Sequence, residues 1–261
     1  MCKTTEELLK KKRREKIIVH SIQIFIVLFF LILWEVLADK KIISSFLFSS
    51  PSKVWETFFT LFSTGEIWKH IFTTLYETLL SFAIGISAGF LIAILLYELP
   101  LLSKIVDPFL TMLNSLPKVA LGPMIIIWVG ANMSSIIVMA LLINLIISIM
   151  NIYNGFLGTD KNKVKLLTSF GATKGQILWY LVIPESKRTI LSSLKINISM
   201  TLIGVIMGEF LVSKQGIGYL IIYGTQVFNL SLVMTGIFLL IIISFVLYQV
   251  IALLEKKLTK I

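Results

Sequence analysis

The sequence predicts an all-α, polytopic membrane protein, a helical bundle of about six transmembrane helices. Three observations predict it. Hydrophobic residues make up 57% of the 261, and charged residues only 15%, where a soluble domain carries roughly 25% charged residues. Several uncharged stretches approach or exceed the ~18–20 residues needed to cross a bilayer. The basic residues gather on alternate sides of those stretches.

The spans read as 17–37, 71–97, 107–130, 134–153, 190–212 and 231–254. The first follows a basic start, like a secretion signal. Its apolar run is too long for an h-region and lacks a small-x-small cleavage site, so it reads as a retained span. Residues 1–50 form this basic segment and first span; residues 51–261 form the main transmembrane domain. Cys2 is the only cysteine, so no internal disulfide is possible. In the connection 38–70, Ser50-Pro51-Ser52 reads as a helix start. The amphipathic, aromatic helix that follows is expected along the membrane interface.

Span 2 carries Gly85 and Gly89, and span 5 carries Gly204 and Gly208. Such small-residue pairs let helix backbones approach closely, within one bundle or across a dimer. Span 3 contains Pro108, Pro117, Lys118 and Pro123, so a kink or break is expected. Broken backbone in a membrane needs neighbours or a water-filled cavity. Pro117 therefore marks either helix packing or a translocation path beside span 3.

The net charge is +10, but its location points to a membrane surface rather than nucleic acid. With the N-terminus inside, seventeen basic residues fall on the cytoplasmic side. Five fall outside: Lys40, Lys41, Lys53, Lys69 and Lys214. Both termini and the long connection 154–189 are thus expected in the cytoplasm.

That connection exceeds the usual length between helices, and its sequence predicts structure. Asp160 or Thr159 caps a helix over 161–170, and Gly171 ends it. Thr173-Lys174-Gly175-Gln176 matches a capping box. A second helix is expected to run toward Ile183, with Pro184 marking the next boundary. Leu166, Leu167 and Phe170 lie in the first helix. Two readings stand: they fold back onto the bundle, or they form a docking knob for a cytosolic partner.

Here the sequence resembles a known family. Gly171 and Pro184, with Leu181 and Ile183 before the proline, match the spacing of the EAA loop of ABC importer permeases, E-A-A-x3-G-x9-I-x-L-P. The first triplet departs from it: Lys165-Leu166-Leu167 puts a base where the motif has an acid. Ser115 to Pro123, Ile127-Trp128-Val129-Gly130, Gly208-Glu209-Phe210 and Gly216 to Leu220 resemble the nitrate/sulfonate/taurine branch. The resemblance covers roughly residues 50–255.

It implies a type I ABC importer permease fold, as a permease homodimer in the cytoplasmic membrane. It also implies two kinds of partner, a cytosolic ATP-binding subunit and an extracytoplasmic solute-binding protein. Lys165, Leu166, Leu167, Thr168, Ser169, Phe170, Gly171, Ala172 and Pro184 would form the ATPase-coupling loop. The substrate would be nitrate, sulfonate or taurine-like, or a vitamin precursor. The chain has no G-x4-G-K-[ST] phosphate loop. No cofactor is therefore expected on the chain itself, and ATP would be used by the partner.

Glu77, Lys195 and Glu209 fall in apolar spans, where ionisable groups are functional candidates by default. Their positions near span ends suggest snorkelling or packing first. Glu77 and Glu209 remain candidates for the solute pathway; two acids at an outer mouth favour a neutral or cationic solute. Asn144, Asn151 and Asn197 either bond helices together or line a polar path. His20 and His70 lack a Cys or acid at ligand spacing, so no metal site is expected. Neither a Ser–His nor an Asp–Asp pair supports an enzyme. The alternative is a self-sufficient channel or secondary transporter, which would predict an inverted repeat; none is visible.

Overall fold

A computed structural model describes residues 5–259; Cys2, Lys3 and Lys260 lie outside them. Helix α1, Thr5–Asp39, carries the first apolar span. None of its most apolar window is buried, and its main contacts are with α2 (Ser45–Phe48) and α3 (Pro51–Ser63). Glu35 of α1 makes the tie, accepting from the Ser52 amide at 3.0 Å and hydroxyl at 2.6 Å. Helix α3 starts as its sequence predicts, with Ser50 as cap and Pro51 in the first turn. It packs on α12 (Leu230–Thr259) and α4 (Glu66–Glu98).

The third span differs from the sequence expectation of 107–130. It begins at Pro100 and consists of α5, Pro100–Ser115, a short 3₁₀ turn, Lys118–Leu121, and α6, Gly122–Val129. The two halves meet at 87°. Pro100 sits in the first turn of α5, where its missing N–H costs nothing. Pro108 lies within α5 without ending it. The break falls at Leu116-Pro117, since a residue before proline is forced out of the α region.

Helix α7, Met133–Leu157, runs through the centre of the bundle against α4 and α10 (Ile183–Val212). Both glycine pairs serve this contact. A Cβ on Gly89 would lie 2.6 Å from the Ser148 side chain, and one on Gly204 2.6 Å from the Ala140 backbone. Gly85 and Gly208 face Asn144 and Ile136 of the same helix. The GxxxG pairs thus pack this bundle around α7.

Beyond α7 lies α8, Lys161–Ser169, then α9, Lys174–Ile177. The boundary expected at Pro184 is absent. A π-helical turn over Leu178–Val182 leads straight into α10, Ile183–Val212. The wider turn relieves the clash that proline makes with the carbonyl four residues back, so the helix continues. Helices α11, Ile217–Gln226, and α12, Leu230–Thr259, complete the chain. Among the described residues, five helices are long and apolar enough to cross a membrane, or six if the bent pair is one span.

The two larger of three apolar clusters among the described residues lie toward the ends of the bundle. One joins α3, α4, α10, α11 and α12 through residues such as Ile67, Ile198, Ile217 and Leu239. The other joins the α8–α9 region to α4 and α7 through Ala93, Ile152, Phe156, Ile177 and Val182. At that same end, Glu255 of α12 pairs with Lys195 of α10 at 2.7 Å and accepts from Ser192 at 2.6 Å. Lys195 is therefore ion-paired between helices rather than snorkelling alone.

Candidate functional site

Two regions carry the candidate residues, one at each end of the bundle. The first is the corner between α8 and α9. Asp160 caps α8, its carboxylate accepting from the Asn162 amide at 2.8 Å. Gly171 ends the helix with φ +82, a left-handed conformation open to glycine without steric cost. The Ala172 amide donates to Leu167 and the Gly171 amide to Thr168, both at 3.0 Å; this pair is the Schellman motif. Thr173 and Gln176 then form a reciprocal capping box, with Gln176 Oε1 accepting from the Thr173 amide at 2.8 Å. Local chemistry alone thus fixes a tight reversal between two helices.

The side chains at this corner divide. Val164, Leu167 and Ala172 pack against the second apolar cluster. Leu166 is 55% exposed and Phe170 77% exposed. The two readings of these apolar residues are therefore both realised, by different residues: Leu167 anchors the corner from behind, and Leu166 and Phe170 project. Lys165, Thr168 and Ser169 are exposed around them. Lys163 is paired with Glu185 at 3.0 Å, and this bond holds the lysine above its ordinary pKa. Pro184 lies beyond the π turn, exposed at the start of α10.

The second region is a polar knot at the far end of α10. Glu209 is fully buried. One of its carboxylate oxygens accepts from Thr74 Oγ1 at 2.6 Å and the other from the Gly218 amide. The Ile217 amide donates to Thr74 Oγ1 at 2.8 Å. Ile217 and Gly218 open α11, so Glu209 and Thr74 take up the free N–H groups of a helix start. Gly216, at φ +105, has no room for a Cβ, which would strike the Glu209 carboxylate. His70 Nδ1 lies 3.0 Å from the Gly216 carbonyl oxygen and 3.1 Å from its amide nitrogen. The His70 ring stacks on Tyr219.

This burial corrects the snorkelling reading for Glu77 and Glu209. Glu77, one turn along α4 from Thr74, is 2% exposed, and its carboxyl lies beside that of Glu209. It also borders a cavity of about 510 Å³ with Phe72, Tyr76 and Lys214. Of the two readings, packing stands for both acids: α4 and α10 cover them from the side. Asn144 is fully buried, donating to the Ser81 carbonyl at 3.2 Å and accepting from Ser148 Oγ at 2.8 Å. It ties α7 to α4. Pro117 is exposed at the α5–α6 break. The structure thus brings Glu77 and Glu209 together and leaves Asn144 and Pro117 apart from them. Thr74 and His70 were missed as members. The available signal was their spacing: His70, Thr74 and Glu77 recur on one face of α4. No group of three or more His, Cys, Asp or Glu able to hold a metal occurs among the described residues.

The corner and knot sit on a fold with known counterparts. Residues 81–260 match the family of binding-protein-dependent transport system inner membrane components. The chain belongs to this family. It is a permease component of the inner membrane, and its relatives agree. A probable ABC transporter permease of Haemophilus influenzae is 28% identical over 84% of this chain and 88% of that protein. The formylaminopyrimidine transport permease ThiX of Halalkalibacterium halodurans is 29% identical over 74% of this chain and 77% of its own length. The taurine transport permease TauC of Escherichia coli is 24% identical, over 88% and 85%. Among solved structures, a chain of the inward-facing MetNI methionine ABC transporter superposes with TM-score 0.66 at 19% identity, covering 73% of this permease and 95% of that chain. An amino acid ABC transporter chain gives TM-score 0.60 at 17% identity, over 77% and 96%. The fold is that of type I ABC importer permeases.

Proposed function

We propose that this permease is driven by a separate cytosolic ATPase subunit through the α8–α9 corner. The observation that carries the reading is the split of the corner's apolar residues. Leu167 and Ala172 bind it to the bundle, while Leu166 and Phe170 stand in solvent. Exposed apolar side chains on a rigid reversal are arranged for a partner's groove. The continuous helix from Lys174 to Val212 offers a stiff lever from this corner to the knot at the other end. A push at Phe170 would therefore reach Glu209 and the turn at Gly216.

The excess of Lys and Arg on the corner's side supports a cytoplasmic corner with both termini inside. The knot would then face the extracytoplasmic binding protein. A second copy of the permease would complete the pathway, with ATP consumed by the partner subunit alone. The relatives named for taurine and formylaminopyrimidine support a small polar solute of the sulfonate or vitamin-precursor kind.

The test is ATP-driven uptake in proteoliposomes holding permease, ATPase and binding protein, offered taurine and formylaminopyrimidine. Gly171→Pro cannot adopt the left-handed turn and is expected to abolish uptake while the chain remains in the membrane. Normal uptake by this variant would contradict the coupling role.

A further inference from the structure

We infer that the surface receiving this corner is acidic, with a carboxylate of the ATPase subunit opposite Lys165. The inference rests on the coupling role proposed above and adds the partner's chemistry. On α8, Lys165 and Leu166 are both exposed, and Phe170 follows one turn after Leu166. Val164 and Leu167 form the packed side of α8, so Lys165 and Leu166 flank its outward side, and a groove that covers Leu166 borders Lys165.

The charge around the knob has one sign. Lys161, Lys165 and Lys174 are exposed. Two nearby carboxylates are already engaged, Asp160 as the cap of α8 and Glu185 with Lys163; a third, Glu98, borders a cavity with Val164, Thr168 and Lys174 rather than with Lys165. Among the described residues, Lys163 is the lysine of this corner that holds an ion pair. Lys165 therefore reaches the interface without a counter-charge from its own chain. An ammonium group covered by an apolar wall would lose hydration without compensation. A carboxylate in the groove supplies that compensation and steers the encounter. An acid at position 165, as in the family's motif, would meet such a groove with repulsion; the pairing would also exclude ATPase subunits built for acidic corners.

The experiment uses the full permease in phosphatidylcholine nanodiscs, which removes anionic headgroups as an alternative partner. The ATPase subunit co-expressed from the same transporter is titrated onto it. Lys165→Ala is expected to weaken binding about threefold and Lys165→Glu about tenfold at ~0.1 M salt, the scale of exposed charge pairs and their reversal. Native affinity should fall as salt rises, and that of Lys165→Glu should not. A charge-reversed carboxylate in the ATPase groove should restore Lys165→Glu. Equal affinity and equal salt slope for native and Lys165→Glu would overturn the inference. Phe170→Ser separates the two claims. If it loses binding while Lys165→Glu does not, the corner docks in a neutral groove. If neither variant loses binding, the coupling role falls as well.

Discussion

The two ends of this permease invert the usual distribution of side chains in opposite ways. The corner exposes Leu166 and Phe170 to solvent; the knot buries Glu77 and Glu209 in an apolar bundle. Each inversion needs a partner. At the knot Glu209 finds its partners within the chain, Thr74 and the amide of Gly218, while Glu77 Oε2 beside it has no hydrogen-bond partner among the described residues. At the corner the backbone is satisfied locally, by the Schellman motif and capping box, but the side chains are not covered. The knot thus holds the permease's own backbone, and the proposed role of the corner is to hold another molecule. Substitutions should separate the two. Stability should suffer at the knot and communication at the corner.

The largest effect is expected at the knot. Glu209→Ala would leave the Thr74 hydroxyl and the Gly218 amide without their acceptor inside the bundle. Leaving a buried donor unpaired costs about 1–3 kcal/mol for each group. Thermal unfolding in detergent should show a large drop, with less folded protein recovered; an unchanged midpoint would break the comparison at this end. A comparable but smaller loss, roughly 1–3 kcal/mol, is expected for Gly204→Val, where added atoms meet the α7 backbone at Ala140.

The corner should respond in the other sense. Phe170→Ser should leave the unfolding midpoint unchanged or slightly raised, and lower permease-stimulated ATP hydrolysis at least tenfold. A destabilised Phe170→Ser protein would show that the ring is covered by its own chain. Gly171→Ala lies between the extremes. Nothing lies within 4 Å of its added Cβ, so the cost is the left-handed backbone alone, ~1–2 kcal/mol.

The smallest effect belongs to the Lys163–Glu185 pair. The lysine's pKa is raised in the folded state by its bond to Glu185. Its contribution is therefore complete at neutral pH and is lost only as pH rises through that raised value. Glu185→Gln should leave the unfolding midpoint unchanged between pH 6 and pH 8, as expected of an exposed pair. A pH-dependent shift in that range would mean that the corner's geometry depends on this bond.

The contrast also explains what the sequence could reveal. The corner is made by short-range rules: a cap at Asp160, a left-handed glycine at 171 and a capping box four residues wide. Each was legible at its own position. The knot is made by α4 and α10 lying side by side, which brings Thr74 to Glu209 across 135 residues. No local signal reports that pairing, so counting from span ends could not tell whether the two acids reach outward or pack between helices. Pro184 failed for a related reason. The rule that proline ends a helix holds for a regular α turn, and the π turn at Leu178–Val182 sets that rule aside. In the third span the prolines announced a break, but which of them made it depended on local backbone geometry. Pro108 stays within a helix, and Pro117 ends one.

The central claim, that the corner is the seat of the ATPase, is tested most directly by cross-linking. Phe170→Cys is made in a Cys2→Ser background, which leaves one thiol in the chain. A thiol-to-amine cross-linker is then applied to the assembled transporter in native membranes. The account predicts a single adduct joining the permease to the ATPase subunit, with the thiol otherwise shielded from water-soluble reagents. A thiol that remains fully reactive in the intact complex, with no adduct to the ATPase, would contradict it.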